Sequence, residues 1–206
     1  TILPSTLEDI TLSATTHDGV LVRGEHNISM NGTGVKELYL EPPDAEAHPD
    51  AIRAIIEAEL VLIGPGSLYT SVLPNLLVPD IKKALRETEA RVVFVTNVAT
   101  EEGETDNFTV GDHLQAIEAH IGEGLIDAIV ANNNIAVSFP EGVNSAPVAL
   151  NVDENFKHGN MHLCEADVVA IENRYCHDPL KLAAVIVDLY NEIQRFPVFS
   201  RNGKTG

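Results

Sequence analysis

The spacing of hydrophobic and polar positions changes near residue 48 and divides the chain into two parts. Residues 1–47 favour a β-rich, irregular segment, in which short extended stretches are separated by Asp-Gly and Asn-Gly pairs typical of turns. The predicted extended stretches are LEDITLSA (7–14), GVLVRGEHNIS (19–29) and VKELYLEP (35–42). Residues 48–206 instead alternate apolar runs of strand length with amphipathic segments of helix length.

Helix start and stop signals mark four helices in this second part. They are predicted over 49–59, 79–88 and 109–122, with a last one from Asp178 and Pro179 to about Arg195. The third begins with Thr109 and Asp112, a pair typical of a capping box, and places Leu114, Ile117 and Ile121 on one face. The hydroxyl-rich stretch after residue 66 is predicted to be a loop, because prolines 74 and 79 interrupt its helical pattern.

Apolar runs between these helices predict parallel strands. The runs are LVLIG (60–64), RVVFVTN (91–97), LIDAIVA (125–131) and, less regular, MHLCEADVVAIE (161–172). Strands that alternate with helices indicate an α/β protein, in which a mainly parallel sheet is covered by helices on both faces. We therefore predict a three-layer, Rossmann-like α/β fold that follows a β-rich N-terminal excursion.

Composition and charge restrict the class of partner. The chain has 206 residues, 44% of them hydrophobic, which suits one domain with an ordinary core. Its formal net charge of -18 repels nucleic acid and anionic membranes, although backbone N–H groups still suffice to hold a single nucleotide. The longest apolar runs are too short to span a bilayer, and two cysteines without a CxxC spacing indicate reduced thiols. We expect a cytoplasmic protein.

Polar loops follow three of the predicted strands, and the carboxyl ends of parallel strands share the edge where α/β proteins bind ligands. After the first strand, Gly64 and Gly66 allow close backbone approach, and the N–H groups of Gly66, Ser67 and Leu68 could point at a phosphate. No lysine follows the glycines, so this is not a P-loop, and Tyr69 replaces the third glycine of a dinucleotide fingerprint. The alternative is a plain turn followed by helix-capping hydroxyls.

Acidic residues supply the candidate catalytic groups. Glu101, Glu102 and Glu104 are potential general bases or metal ligands, with a solvated acidic loop as the alternative. Asp112 is a second candidate, for which helix capping is the alternative. The eight histidines show no metal-ligand spacing such as HExxH. We predict no protein-held metal and no covalently bound cofactor, and we expect any magnesium to accompany a nucleotide ligand.

Three long motifs follow one another along the chain: GPGSLYTSVLPNLLVPDIKKAL (64–85), VTNVATEEGET (95–105) and DHLQAIEAHIG (112–122), with LPSTLEDITLSA, GEHNIS and HDPLKLA elsewhere. Together they resemble the YvcK-like family, often called gluconeogenesis factors, within the CofD-like superfamily. The resemblance implies a CofD-like fold and identifies residues 1–206 as one α/β domain, the carboxyl-terminal part of a longer pattern. Where the family commonly has Thr-Gln-Pro-Gly-Glu-Thr, residues 100–105 read Thr-Glu-Glu-Gly-Glu-Thr, so an amide and a proline have become acids.

The resemblance implies a regulatory protein that binds a nucleotide or a UDP-sugar, with roles in carbon-source use, cell shape and envelope precursor control. The sister branch, 2-phospho-L-lactate transferase, usually continues the glycine loop with Asn-Pro, so the sequence favours the regulatory branch. The predicted ligand-binding residues are Gly64, Gly66, Ser67, Leu68, Thr70, Ser71, Asn75, Asn97, Thr100 and Thr105. The alternatives are a transferase that uses Glu104 or Asp112, and a scaffold whose acidic surface meets basic partners. Homo-oligomerisation is left open.

Overall fold

The computed structural model describes residues 1–136, 139, 142, 144–151 and 161–195, and these form two sheets. The antiparallel sheet comprises β1 (Thr11–Thr16), β2 (Leu21–Arg23) and β3 (Val35–Glu41) in the order β2-β1-β3. The parallel sheet has four strands in the order β4-β5-β6-β7, the order in which they follow one another along the chain. This arrangement confirms the predicted α/β fold and its β-rich N-terminal excursion.

In the antiparallel sheet, the turn between β1 and β2 matches the Asp-Gly signal, since Gly19 has φ 84° and the Thr16 N–H donates to the Val20 carbonyl. The prediction that GEHNIS is extended was wrong, because residues Glu25–Met30 form helix α1. Gly24, with φ 88°, ends the extended backbone after β2, and the Ile28 N–H donates to the Gly24 carbonyl. Ile28 is the buried residue of this helix.

The second part of the chain alternates helices and strands as predicted. Its elements are α2 (Pro49–Ile56), β4 (Leu60–Ile63), a π-helical turn (Leu68–Val72), α3 (Leu73–Leu77), α4 (Pro79–Glu87), β5 (Arg91–Val95), α5 (Val110–Ile121), β6 (Ala128–Asn132), β7 (His162–Ala166) and α6 (Pro179–Ile193). Neighbouring strands pair in parallel, so β4, β5 and β6 end side by side at one edge of the sheet. The expectation that their polar ends share an edge is therefore confirmed.

Hydrophobic side chains cover both faces of the parallel sheet. Ile63, Phe94 and Ile129 pack in one cluster with side chains of α3, α4 and α5. The alternate residues Val93 and Val130 pack in a second cluster with α6. Because successive strand residues point to opposite faces, these two clusters show the predicted three layers.

Some element boundaries differ from the predicted ones. The stretch after residue 66 is helical from Leu68, as a π-helical turn that continues into α3, so the loop prediction was wrong. Helix α2 ends at Ile56 rather than near residue 59. Strand β7 ends at Ala166, because the Val168 N–H turns away from the sheet to donate to Asn132 Oδ1 at 3.2 Å.

Candidate functional site

The turn after β4 and the loop after β5 meet at the carboxyl edge of the sheet. The Gly66 N–H donates to Asn97 Oδ1 at 3.3 Å, and Asn97 Nδ2 donates to Glu101 Oε1 at 3.1 Å. These bonds fix the orientation of the Asn97 amide, with its oxygen towards the glycine turn and its nitrogen towards the acidic loop. We call Gly64, Gly66, Ser67, Asn97 and Glu101 the tip site.

The two glycines of the tip site have different structural roles. Gly64 has φ 76°, and a Cβ added to it would lie 3.0 Å from the Val95 carbonyl oxygen. A Cβ on Gly66 would stand in ordinary contact, 3.5 Å from Ser71 Cβ. Gly64 is therefore required by the turn itself, since L-residues rarely adopt this backbone conformation. Gly66 does not have a positive φ, so the backbone of the turn does not require a glycine at this position.

Glu104 lies beneath the tip site as a buried carboxylate, 4% exposed. Its Oε1 accepts hydrogen bonds from the hydroxyls of Ser29 and Thr70, each at 2.8 Å, and its Oε2 accepts the Tyr69 N–H at 3.3 Å. The carboxylate thereby joins α1, the π-helical turn and the loop after β5. Thr70, predicted to contact a phosphate, donates its single hydroxyl proton to this carboxylate.

Thr100 and Thr105 are buried, with 4% and 0% exposure, and shape the loop between them. The Thr105 hydroxyl accepts the Glu101 N–H at 2.9 Å. The Thr100 hydroxyl accepts the Ala146 N–H at 3.0 Å, while the Thr100 N–H donates to the Ala146 carbonyl. The structure places both hydroxyls in backbone contacts rather than on the surface of the tip site.

The remaining predicted ligand contacts lie on the helical segment that follows the turn. Leu68 is buried in the core and Ser71 is exposed. Asn75 is one turn further on, where its Nδ2 donates to the Ser71 carbonyl at 2.7 Å and its Oδ1 accepts the Ser5 hydroxyl. The structure does not bring Asn75 into the tip site.

Asp112 forms the capping box that its spacing predicted. Its carboxylate accepts the Thr109 N–H at 2.8 Å, and the Thr109 hydroxyl accepts the Asp112 N–H at 3.2 Å. The neighbouring His113 is buried and donates from Nδ1 to the Thr109 carbonyl at 2.8 Å, while burial lowers its pKa. Both residues therefore stabilise the start of α5, and no hydrogen bond among the described residues joins their two side chains.

Burial and a neighbouring charge perturb two groups around the tip site. Burial raises the pKa of Glu101, a hydrogen bond with Ser67 opposes this shift, and the charge of Glu104 adds to it. Burial, followed by the charge of Glu104, raises the pKa of Tyr69 to about 12. Burial and the nearby Glu104 carboxylate thus both disfavour negative charge on Glu101 at the tip site.

Sequence reasoning missed two contacts at this edge. His177 Nε2 donates to the carbonyl of Thr96, the residue after β5, at 3.1 Å, and burial is the main cause that lowers the His177 pKa. Asn132, at the end of β6, is buried and accepts the Val168 N–H, so its amide supports the backbone. Residues 96 and 177 lie 81 positions apart, and no local pattern signals such a contact.

Three general properties of the described residues bear on the class of site. Both cysteines, Cys164 and Cys176, are free thiols. No group of three or more His, Cys, Asp or Glu side chains among the described residues is placed to hold a metal ion. Within the same ranges, no helix is long and apolar enough to cross a membrane.

Comparison with known proteins gives a consistent result. A family model described as 2-phospho-L-lactate transferase CofD matches residues 1–169. The gluconeogenesis factor of Bacillus subtilis is 36% identical over 199 residues, which cover 93% of this chain and 62% of that protein. A putative gluconeogenesis factor from Aquifex aeolicus is 40% identical over 201 residues, which cover 93% of this chain and 61% of that protein.

Solved structures agree with the sequence matches. The crystal structure of a member of the UPF0052 family from Bacillus halodurans has a TM-score of 0.81 and 36% sequence identity. The match covers 90% of this chain and 61% of that chain. In each of these three matches the chain spans about three fifths of the relative's length.

Proposed function

From the premise that this chain belongs to the family of 2-phospho-L-lactate transferase CofD, we propose that it is a cytoplasmic regulatory protein that binds a nucleotide sugar at the tip site. UDP-N-acetylglucosamine is the ligand we propose to test first. The similarity to gluconeogenesis factors supports a role in gluconeogenic growth. Control of cell shape and of envelope precursors belongs to the same proposal.

One observation carries this proposal: the hydrogen-bonded chain from Gly66 through Asn97 to Glu101 at the carboxyl ends of β4 and β5. Ligands of parallel α/β sheets bind at this edge, because the loops that follow the strands converge there. Neutral amides and backbone groups suit the hydroxyls and carbonyls of a nucleotide sugar.

A transferase is the second candidate, which the CofD family model favours. The two carboxylates predicted for a transferase make several hydrogen bonds within the protein: Glu104 accepts three, and Asp112 forms the capping box of α5. A general base needs an accessible lone pair within reach of the reacting group. The geometry therefore supports ligand binding more directly than turnover.

Calorimetric titration with UDP-N-acetylglucosamine, in the presence and absence of magnesium, tests the proposal. The titration is made with this chain and with a longer polypeptide of the relatives' length that contains it. We expect saturable binding that Asn97→Ala weakens at least tenfold, about 1.4 kcal/mol, since the change removes both hydrogen bonds that order the tip site. Asn75→Ala makes the same substitution outside the tip site and is expected to leave the affinity unchanged.

Failure of both polypeptides to bind any UDP-sugar would refute the proposed function. Equal loss of affinity in the two asparagine variants would place the ligand elsewhere. Analysis of the titrated nucleotide by chromatography separates the two candidates, because steady consumption would favour the transferase.

A further inference from the structure

The tip site offers fewer hydrogen-bond donors than its sequence indicates. The Gly66 N–H is directed to Asn97 Oδ1, and Asn97 Nδ2 is directed to Glu101 Oε1. The Thr70 hydroxyl and the Tyr69 N–H donate to the buried carboxylate of Glu104. A phosphate accepts hydrogen bonds and needs donors. Four donors close to the turn are thus already engaged with protein acceptors.

Glu101 differs from these engaged donors, because its carboxylate can accept hydrogen bonds from a ligand. An ionised carboxylate has about four acceptor positions, of which the Asn97 amide and the Ser67 hydroxyl occupy two. The Glu101 N–H donates to the buried Thr105 hydroxyl at 2.9 Å, which anchors the backbone from which the carboxylate projects. The residue is half-buried, so the ionised side chain has lost part of its hydration. A ligand group that donates hydrogen bonds would replace that hydration.

Charge leads to the same conclusion. The Glu104 carboxylate lies in the layer below, and its charge contributes to the raised pKa of Glu101. A pyrophosphate placed against these two carboxylates would be repelled, whereas hydroxyl groups would be attracted. The tip site is therefore matched to the hydroxyl-bearing part of a ligand.

We propose that Glu101 orients the ligand by accepting hydrogen bonds from its sugar or ribose hydroxyls, so that these, and not the pyrophosphate, lie against the ends of β4 and β5. This inference rests on the proposed function, because it assigns a direction to the nucleotide sugar bound at the same site. Glu101 acts here as a specificity-determining residue. Its carboxylate contacts the ligand and favours ligands rich in hydroxyl groups.

The test compares Glu101→Gln with Glu102→Gln. Both substitutions remove one negative charge from adjacent positions, but Glu102 is exposed and its Oε1 accepts the Asn144 amide at 2.6 Å, outside the tip site. The probes are UDP-N-acetylglucosamine, UDP and inorganic pyrophosphate, titrated into wild type and both variants of the polypeptide that binds. Thermal unfolding midpoints equal to that of wild type verify that the variants fold.

We expect Glu101→Gln to weaken UDP-N-acetylglucosamine binding about tenfold, because neutral hydrogen bonds replace charge-assisted ones. Glu102→Gln is expected to bind like wild type, and Glu101→Gln is expected to bind pyrophosphate no more weakly than wild type does. If Glu101→Gln also weakens the binding of UDP, the carboxylate contacts the ribose. If the affinity for UDP is unchanged, the carboxylate contacts the sugar.

Tighter or unchanged binding of UDP-N-acetylglucosamine by Glu101→Gln would overturn the inference while leaving the proposed function standing. An equal loss in both variants would also overturn it, since the effect would then be one of net charge. Absence of binding by wild type is a different result, because it refutes the proposed function together with this inference.

Discussion

Removal of the buried Glu104 carboxylate should destabilise the protein and loosen the loop that carries the tip site. The carboxylate accepts two hydroxyl hydrogen bonds of 2.8 Å and one backbone hydrogen bond of 3.3 Å. In Glu104→Ala the Tyr69 N–H loses its acceptor, the hydroxyls of Ser29 and Thr70 must find new partners, and a cavity remains. An unsatisfied buried donor costs roughly 1–3 kcal/mol and a cavity adds to it, so we expect a loss of about 3–5 kcal/mol.

Glu104→Gln preserves the shape and one carbonyl oxygen, which can still accept from the two hydroxyls. Its amide nitrogen must then face the Tyr69 N–H, which places two donors against each other. The desolvation cost of the original carboxylate also disappears, which partly offsets the loss. We therefore expect about 1–2 kcal/mol for this variant.

Urea unfolding followed by circular dichroism measures both losses, with Glu102→Ala and Glu102→Gln as matched controls at an exposed position. The controls should remain within about 0.5 kcal/mol of wild type. A Glu104→Ala variant as stable as Glu102→Ala would refute the view that this carboxylate joins α1 to the π-helical turn.

Two further predictions concern the turn and the tyrosine beside the tip site. Gly64→Ala should lower stability by about 1–2 kcal/mol, because Gly64 has φ 76° and its added Cβ would lie 3.0 Å from the Val95 oxygen. Gly66→Ala should stay within about 0.5 kcal/mol, and equal thermal midpoints for the two variants would contradict this. Burial raises the Tyr69 pKa from 10.0 to about 12. Between pH 10 and 12 the phenol therefore ionises in the unfolded chain but stays neutral in the folded protein, so the free energy of unfolding should fall as the pH rises through this range. The loss is about 3 kcal/mol at most, and a Tyr69→Phe variant with the same alkaline slope as wild type would exclude Tyr69 as its source.

The parallel strands could be predicted from the sequence because the two central ones read as apolar runs, as expected of strands that are buried on both faces. β5 and β6 are buried at every position, and the helix between them, α5, carries a recognisable start signal. The capping box of Thr109 and Asp112 was predicted for the same reason, since its partners lie three positions apart. Short-range patterns of this kind specify local structure before any tertiary contact forms.

Other features depend on contacts that no local pattern contains. Helix α1 has six residues and buries one side chain, Ile28, so its sequence shows no helical period. Ser29 precedes Glu104 by 75 positions, and the sequence gives no sign that the two side chains meet. The glycines and Asn97 of the tip site could be identified from strand ends, but the direction of each donor is set by these distant contacts. Thr70 is an example, because its hydroxyl was predicted to contact a phosphate and the structure shows that it donates its proton to Glu104.

The central claim is that a nucleotide sugar binds at the carboxyl ends of β4 and β5. Nuclear magnetic resonance of the isotope-labelled protein, titrated with UDP-N-acetylglucosamine, tests it most directly through amide shifts. We predict that the largest shifts occur at the backbone of Gly64, Gly66 and Ser67 and at the side-chain amide of Asn97. Shifts concentrated in the antiparallel sheet, or no shift at a saturating ligand concentration, would contradict the claim.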